Sequence, residues 1–339
     1  MYLKVAKTWC IRLVPLVLLL ISYYCFTFYV QSNGSTIKFP APTKSLCEEW
    51  MGQGKKWESL NFTSITRKTD LFLKLEDFFW QQHLSTLALP YGIKGSESLL
   101  LKILAVTANY KMPSTIDNLE CRTCVVIGNG FAIKNSSLGA AINKYDVVFR
   151  LNDGPVRGYE QDVGNKTTLR IFYPESAFYN PSLHNNPDTL LVLVPFKQQD
   201  LRWLKEILYN EKRVRKGFWK PPPQIWLAKP SQIRVLDPYF LHHTASKLLQ
   251  IPLQQKGREK LFHPTTGILT VFMALNYCDV VHIAGFGYPK VKDQKQPIHY
   301  FGSSTMTAMK DSYHDLGREA QILRKLEEAG AILYLHAHS

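Results

Sequence analysis

Five short stretches carry side chains or bare backbone that could meet a ligand. Gly128-Asn129-Gly130 follows the apolar run "TCVVI". Glycines let backbone come close to a phosphate or ribose, and an asparagine offers both donors and an acceptor. The same triplet also makes a plain tight turn. A dinucleotide fingerprint is excluded, because Ile133 stands where its third glycine belongs. Asn152, in "RLNDGP", ends a second apolar run beside another turn. Thr265, Thr266 and Gly267, in "HPTTGILTVF", open an apolar stretch with hydroxyls and a glycine, which suits an anion site or an ordinary helix cap. His299 lies in "HYF". His314 comes five residues before Glu319 in "YHDLGRE", ahead of a helical pattern whose positive end disfavours an imidazolium and keeps the ring able to accept a proton. With ten histidines in the chain, residue type alone singles out neither.

The surrounding pattern supplies elements to position these groups. "FLKLEDFFWQQHL" and "ESLLLKILAVTANY" have apolar residues at helical spacing. "TCVVIGNG", "DVVFRLN", "TTLRIFY", "TLLVLVPF", "DVVHIAGFGYP" and "AILYLH" read as strands. "NSSLGAAINKY", "QQDLRWLKEILYNEK", "YFLHHTASKLLQ", "TTGILTVFMALNYC" and "LGREAQILRKLEEAG" read as helices, the fourth nearly all apolar and therefore buried. Strands alternating with helices predict an α/β domain with a mostly parallel sheet covered on both faces. Ligands in such sheets bind beyond the carboxyl ends of the strands, where Asn129 and Asn152 fall.

The chain of 339 residues is basic, with a formal net charge of +14, which suits an anionic partner. No dense Lys/Arg face or nucleic-acid motif accompanies the charge, so nucleic acid is not an expected partner. Residues 13–30 are free of charge and near the length a membrane-spanning helix requires. Lys4, Lys7 and Arg12 precede them, so the positive-inside bias predicts a cytoplasmic tail at 1–12, an uncleaved anchor at 13–30, and a lumenal remainder. Residues 31–65 read as a polar stem, and 66–339 as one catalytic domain.

Of six cysteines, four lie past the anchor: Cys47, Cys121, Cys124 and Cys278. An even set in an oxidising compartment predicts disulfides. A zinc site would need a second close pair, and the C-x-x-C leads into a strand rather than a helix, which speaks against a redox role. Cys124 begins the strand that carries Asn129, and Cys278 ends the helix that starts at Thr265. A bridge between them would brace two ligand edges, leaving Cys121 for Cys47. Sequons at Asn33, Asn61, Asn135 and Asn165 agree with a secretory address.

Assembled, these pieces resemble the animal sialyltransferases (family 29 glycosyltransferases). The stretch from Cys121 to Ser176 is similar to the family's large motif, and "HPTTGILTVFMALNYCDVVHIAGFGYP" to its small motif. "HYFG" resembles the third motif, and His314 with Glu319 the short His-x4-Glu motif. "DVGNKTTLRIFYPES", "KRVRKGFWK" and "HIAGFGYP" look closest to the fourth subtype of the β-galactoside α-2,3 branch.

The resemblance implies a Rossmann-like, variant GT-A fold in a single-pass type II Golgi membrane protein. The implied reaction moves sialic acid from CMP-sialic acid to the 3-hydroxyl of a terminal galactose, on Galβ1-4GlcNAc or Galβ1-3GalNAc ends of glycoproteins or glycolipids. Asn129 and Asn152 would hold the CMP phosphate and ribose. Thr265, Thr266, Gly267 and Gly285 would meet the nucleotide and the donor sugar. His299 would bind the departing phosphate, and His314 would be the general base. A Cys124–Cys278 disulfide is implied as well. His263 and Leu236 stand where another α-2,3 subtype has tyrosines, so no donor contact carries over to them. No Asp-x-Asp occurs in the chain, so neither a divalent metal nor another cofactor is expected. Two other readings stay open: an α-2,6 or α-2,8 linkage, and an anchored nucleotide- or glycan-binding protein without catalysis.

Overall fold

The β-branched runs pair side by side as parallel strands. The structure, a computed structural model, describes residues 19–25, 47, 71–76, 78, 86–107, 111–213, 215–253, 262–287, 295–309 and 313–337. The strands are β1 (Thr123–Ile127), β2 (Val147–Leu151), β3 (Leu169–Phe172), β4 (Leu190–Leu193), β5 (Ile233–Val235), β6 (Val280–Ala284) and β7 (Leu333–Tyr334). They form one seven-stranded sheet in the order β5-β4-β3-β2-β1-β6-β7. Each neighbouring pair is parallel. Every residue of β1 to β6 is buried, as both faces of a covered parallel sheet require.

The longer helices are α1 (Glu97–Thr107), α2 (Gln198–Leu208), α3 (Pro238–His243), α4 (Thr266–Tyr277) and α5 (Leu316–Glu328). On one face Val126, Phe149 and Ile171 pack with Leu269 and Phe272 of α4 and Leu326 of α5. On the other, Leu191, Leu193 and Val235 pack with Ile103 of α1 and Leu201 and Trp203 of α2. Because side chains alternate across a strand, β4 feeds both clusters, with Leu190 and Val192 on one side and Leu191 and Leu193 on the other.

Three elements depart from the sequence reading. The start of "FLKLEDFFWQQHL" is extended rather than helical. Phe72 bridges Leu236 in antiparallel sense, and the Leu73 N–H donates to the Val235 carbonyl at 2.9 Å. The unpaired edge of β5 takes this segment because its backbone groups need partners. The helix after β5 changes after His243 into a π-helical turn, Thr244–Leu248. The last strand keeps two residues of the six in "AILYLH".

Both expected disulfides are present. Cys124 and Cys278 have Cα atoms 6.1 Å apart, and Cys47 and Cys121 6.2 Å apart. The first fastens the start of β1 to the end of α4. Contacts divide the chain into Met1–Pro40 and Ala41–Ser339. In the first unit residues 19–25 are helical and exposed. Among the described residues no helix is long and apolar enough to cross a membrane. The rest of the expected anchor, the tail, and Asn33 and Asn61 lie outside the described residues. Asn135 and Asn165 lie in exposed loops.

Candidate active site

Strand order reverses at β1: the chain runs outward to β5, then returns to lay β6 on the other side. Such a switch point leaves a crevice at the carboxyl edge. Its floor is made by the loops following β1 and β6. The Gly128 N–H donates to the Ala284 carbonyl at 2.7 Å, and the Gly130 N–H to the Gly285 carbonyl at 2.7 Å. A Cβ on Gly128 would fall 2.3 Å from the Gly285 oxygen, and one on Gly285 2.4 Å from the Gly128 oxygen. Gly285 also has φ +70°. The bare sides of these glycines thus serve loop-on-loop packing, and the polar group left at this turn is the half-buried Asn129 side chain. Its Nδ2 donates to the Leu151 carbonyl at 3.4 Å, which leans it over the end of β2.

Asn152 follows Leu151 in a left-handed conformation, φ 50°. Its Nδ2 donates to Thr266 Oγ1 at 3.0 Å, and Ser176 Oγ lies 3.3 Å from its Oδ1. Hydroxyls thus flank the amide on both sides, Thr266 at its nitrogen and Ser176 at its oxygen. Arg170 holds the same turn from beneath, donating to the carbonyls of Asn152 (2.9 Å) and Gly154 (3.0 Å). Arg150 is its register partner on β2, and both guanidiniums are buried. Burial lowers them to about 10 and, for Arg170, with Arg150 adding repulsion, to about 9, so both stay charged at neutral pH. Among the described residues their hydrogen bonds go to carbonyls, a hydroxyl and an amide oxygen rather than to a carboxylate. Two buried cations, offset in part by the Asp153 carboxylate acting on Arg170, therefore sit under the crevice, an arrangement that favours an anionic ligand there.

The N-terminus of α4 already receives an internal anion. Thr265 is its N-cap, with Oγ1 accepting from the Ile268 N–H at 3.1 Å. Glu319, reaching across from α5, accepts from the Thr265 N–H at 2.8 Å and the Thr265 hydroxyl at 2.6 Å. Burial pushes the Glu319 carboxyl up to about 7, with the Thr265 hydrogen bonds working against that rise. The hydroxyl of Thr266 accepts from Asn152 and keeps its own proton to donate. Gly267 stands in the first turn, where a Cβ would lie 3.3 Å from the Phe286 ring.

The clamp between Glu319 and Thr265 sets where His314 stands, since His314 directly precedes Asp315, the N-cap of α5. His314 Nδ1 is 2.8 Å from the His263 carbonyl, and the His263 N–H donates to the Tyr313 carbonyl at 2.7 Å. A carbonyl can only accept, so Nδ1 carries the proton and the neutral ring has its lone pair on Nε2. That is the tautomer a general base needs.

His299 forms an antiparallel bridge with Gly130 and stacks on Phe301 at 5.2 Å. Burial lowers its pKa, with Asp153 acting in the opposite sense. Tyr300 continues this segment, its N–H donating to the Asn129 carbonyl at 3.0 Å. Hydrogen bonds thus join Asn152 to Thr266 and Thr265 to Glu319, and because the two threonines are neighbours at the start of α4, the end of β2 is tied to the helix behind His314.

Residues 72–331 match the sequence profile of glycosyltransferase family 29 (sialyltransferase). The chain belongs to this family. It is 52% identical over 283 residues to CMP-N-acetylneuraminate-beta-galactosamide-alpha-2,3-sialyltransferase 4 of Mus musculus, covering 84% of each chain. It is 42% identical over 248 residues to the type 2 lactosamine alpha-2,3-sialyltransferase of Homo sapiens, covering 73% of this chain and 74% of the relative. Its fold aligns with the crystal structure of a mammalian sialyltransferase in complex with Gal-beta-1-3GalNAc-ortho-nitrophenol. That alignment has a TM-score of 0.61 and 26% identity, and covers 83% of this chain and 94% of the other.

Within this family 29 chain the structure adds residues that the sequence reading passed over. Arg150 and Arg170 are lone cations inside the apolar runs "VVFRL" and "TLRIF", a signal available in the sequence, because a buried strand seldom carries an unpaired charge. Ser176 and the backbone carbonyl of His263 gave no such signal: their roles arise only from tertiary contact.

Proposed function

We propose that the chain transfers sialic acid from CMP-sialic acid to the 3-hydroxyl of a terminal galactose, with inversion at the anomeric carbon. The observation that carries the reading is His314. Its Nδ1 proton goes to the His263 carbonyl, and its backbone is fixed to α4 by the Glu319–Thr265 clamp. The Nε2 lone pair takes the proton from the attacking hydroxyl as that oxygen bonds the anomeric carbon and the bond to CMP breaks. A positioned imidazole contributes about 10²–10⁴-fold to such a step.

Asn129 and Asn152 hold the phosphate and ribose, over the two buried arginines. Thr266, Gly267 and Gly285 line the nucleotide and donor sugar, and Thr265 contributes through the cap it makes rather than through its hydroxyl, which Glu319 occupies. His299, as a neutral ring, donates one hydrogen bond to the departing phosphate, which stabilises charge as it develops. The acceptor is a galactose-terminated glycan, with N-acetyllactosamine first in order, because the relatives' names specify α-2,3 transfer and one specifies type 2 lactosamine. The reaction as drawn needs no metal. The charge-free run at 13–30 and the basic residues before it support a single-pass type II anchor, with the catalytic domain in the Golgi lumen.

The test is full-length protein with CMP-sialic acid, N-acetyllactosamine and EDTA. The expected product is sialylated and opened by an α-2,3-specific sialidase. A product resistant to that sialidase would assign another linkage. CMP binding without transfer to type I, type II or core-1 disaccharides would make the chain a binding protein.

A further inference from the structure

The basic segment between α2 and β5 reaches the candidate site and presents one aromatic ring to solvent. Gly217 turns there at φ +88°, with its bare side against Gln199, where a Cβ would lie 3.0 Å from Cγ. Phe218 faces inward, beneath Lys197 Nζ at 5.0 Å from the ring centroid. Lys197 is itself anchored to Glu175 at 2.8 Å and Asp200 at 2.9 Å, two carboxylates with no exposed side-chain surface. Lys220 Nζ pairs with Asp153 at 3.1 Å, and Asp153 adjoins Asn152. Further along, Trp203 Nε1 donates to the Pro223 carbonyl at 2.9 Å.

Trp219 lies between the inward Phe218 and the tethered Lys220, and is 73% exposed. An indole left in water has a large apolar area still to bury. Neighbours pinned on both sides mean that little further order is lost when something covers it, as at preorganised binding aromatics. The Lys220–Asp153 pair beside it offers a donor and an acceptor at half-exposed positions. An apolar face edged by polar groups matches a pyranose, with its C–H face bounded by hydroxyls.

We propose that Trp219 is an acceptor-specificity residue that stacks on the sugar carrying the reacting galactose. This rests on the sialyltransferase reading of the site above. Asp153 adjoins Asn152, and Lys220 carries the tether on to Trp219, so the ring stands at the rim of the crevice, outside the groups that hold the nucleotide, where a sugar beyond the reacting galactose would pass.

The test compares full-length wild type, Trp219→Ala and Trp219→Phe with two acceptors, N-acetyllactosamine and methyl β-galactoside. Trp219→Ala is expected to raise the KM for the disaccharide about tenfold, the equivalent of ~1.4 kcal/mol of lost contact. The KM values for methyl β-galactoside and for CMP-sialic acid stay at wild type, and Trp219→Phe recovers part of the loss. Equal disaccharide KM values in wild type and Trp219→Ala would overturn the assignment. So would a loss seen only with whole glycoproteins or glycolipids, which would make the ring a contact for the carrier. If wild type sialylates neither galactoside, the reading of the site falls first; if wild type is active and Trp219→Ala leaves the disaccharide KM unchanged, the assignment of Trp219 alone fails.

Discussion

Glu319 closes on Thr265 with both of its oxygens, so one carboxylate from α5 caps the first turn of α4. The pair joins two helices, one behind His314 and one beside Asn152. Burial raises the Glu319 carboxyl from 4.5 to about 7. The folded chain therefore binds a proton across that window that the unfolded chain has released, and this contribution to stability falls as pH rises from about 4.5 to about 7. The full effect is on the order of 3 kcal/mol. Glu319→Gln should flatten that slope and lower kcat at pH 7 by about 10-fold or more, an estimate from one charge-assisted hydrogen bond. Urea unfolding of both proteins at pH 5, 6, 7 and 8 checks it, and parallel stability–pH curves would refute the assignment.

His314 is the predicted base, and its removal should separate chemistry from binding. His314→Ala is expected to lower kcat by about 10²–10⁴-fold, the range for a lost general base. CMP affinity should stay close to wild type, because the asparagine-lined part of the crevice is untouched. Isothermal titration with CMP, alongside single-turnover transfer, measures both. Transfer at the wild-type rate would remove His314 from the mechanism.

Much of this arrangement was legible in the sequence, and the reason is physical. β1, β2, β3, β4 and β6 are buried on both faces, so each is written mainly in apolar residues, interrupted by Arg150, Arg170 and His282, and an asparagine follows closely on the first two. Asn129 and Asn152 fell out of that pattern directly, as did the all-apolar α4. Residues 71–76 misled because their apolar spacing fits a helix, whereas the open edge of β5 decides their conformation from outside the segment. The glycines of the β1 turn were read for the backbone access they permit, but their bare sides are filled by Gly285, more than 150 residues along the chain. The Glu319–Thr265 clamp was equally out of reach. Glu319 stood out as the partner of His314 in the His-x4-Glu spacing, but its bonds to Thr265 arise only from tertiary contact.

The Cys124–Cys278 bridge spans a sequence separation of 154 and fastens β1 to the end of α4. Closing so long a loop restricts the unfolded chain strongly, and loss of a native bridge typically costs about 2–5 kcal/mol. The double substitution Cys124→Ala with Cys278→Ala avoids leaving a buried thiol. It is expected to lower stability by that amount in denaturant unfolding under oxidising conditions. Adding reductant should then narrow the gap between wild type and variant, and an unchanged gap would show that the alanines act by lost packing instead.

Asn152 serves as both turn and ligand group, and two substitutions tell these roles apart. Its backbone sits at φ 50°, where a residue with an ordinary Cβ costs roughly 1–2 kcal/mol and glycine costs little. Its amide donates to Thr266 at 3.0 Å, a bond that both substitutions remove. Asn152→Gly keeps the turn and loses the amide, whereas Asn152→Ala loses the amide and strains the turn. Both should raise the KM for CMP-sialic acid about tenfold, the effect of one lost polar contact. Asn152→Ala should be less stable than Asn152→Gly by about 1 kcal/mol, read from denaturant midpoints at constant m. Equal stabilities would deny the backbone its part. An unchanged donor KM in both variants would move the nucleotide away from this strand end.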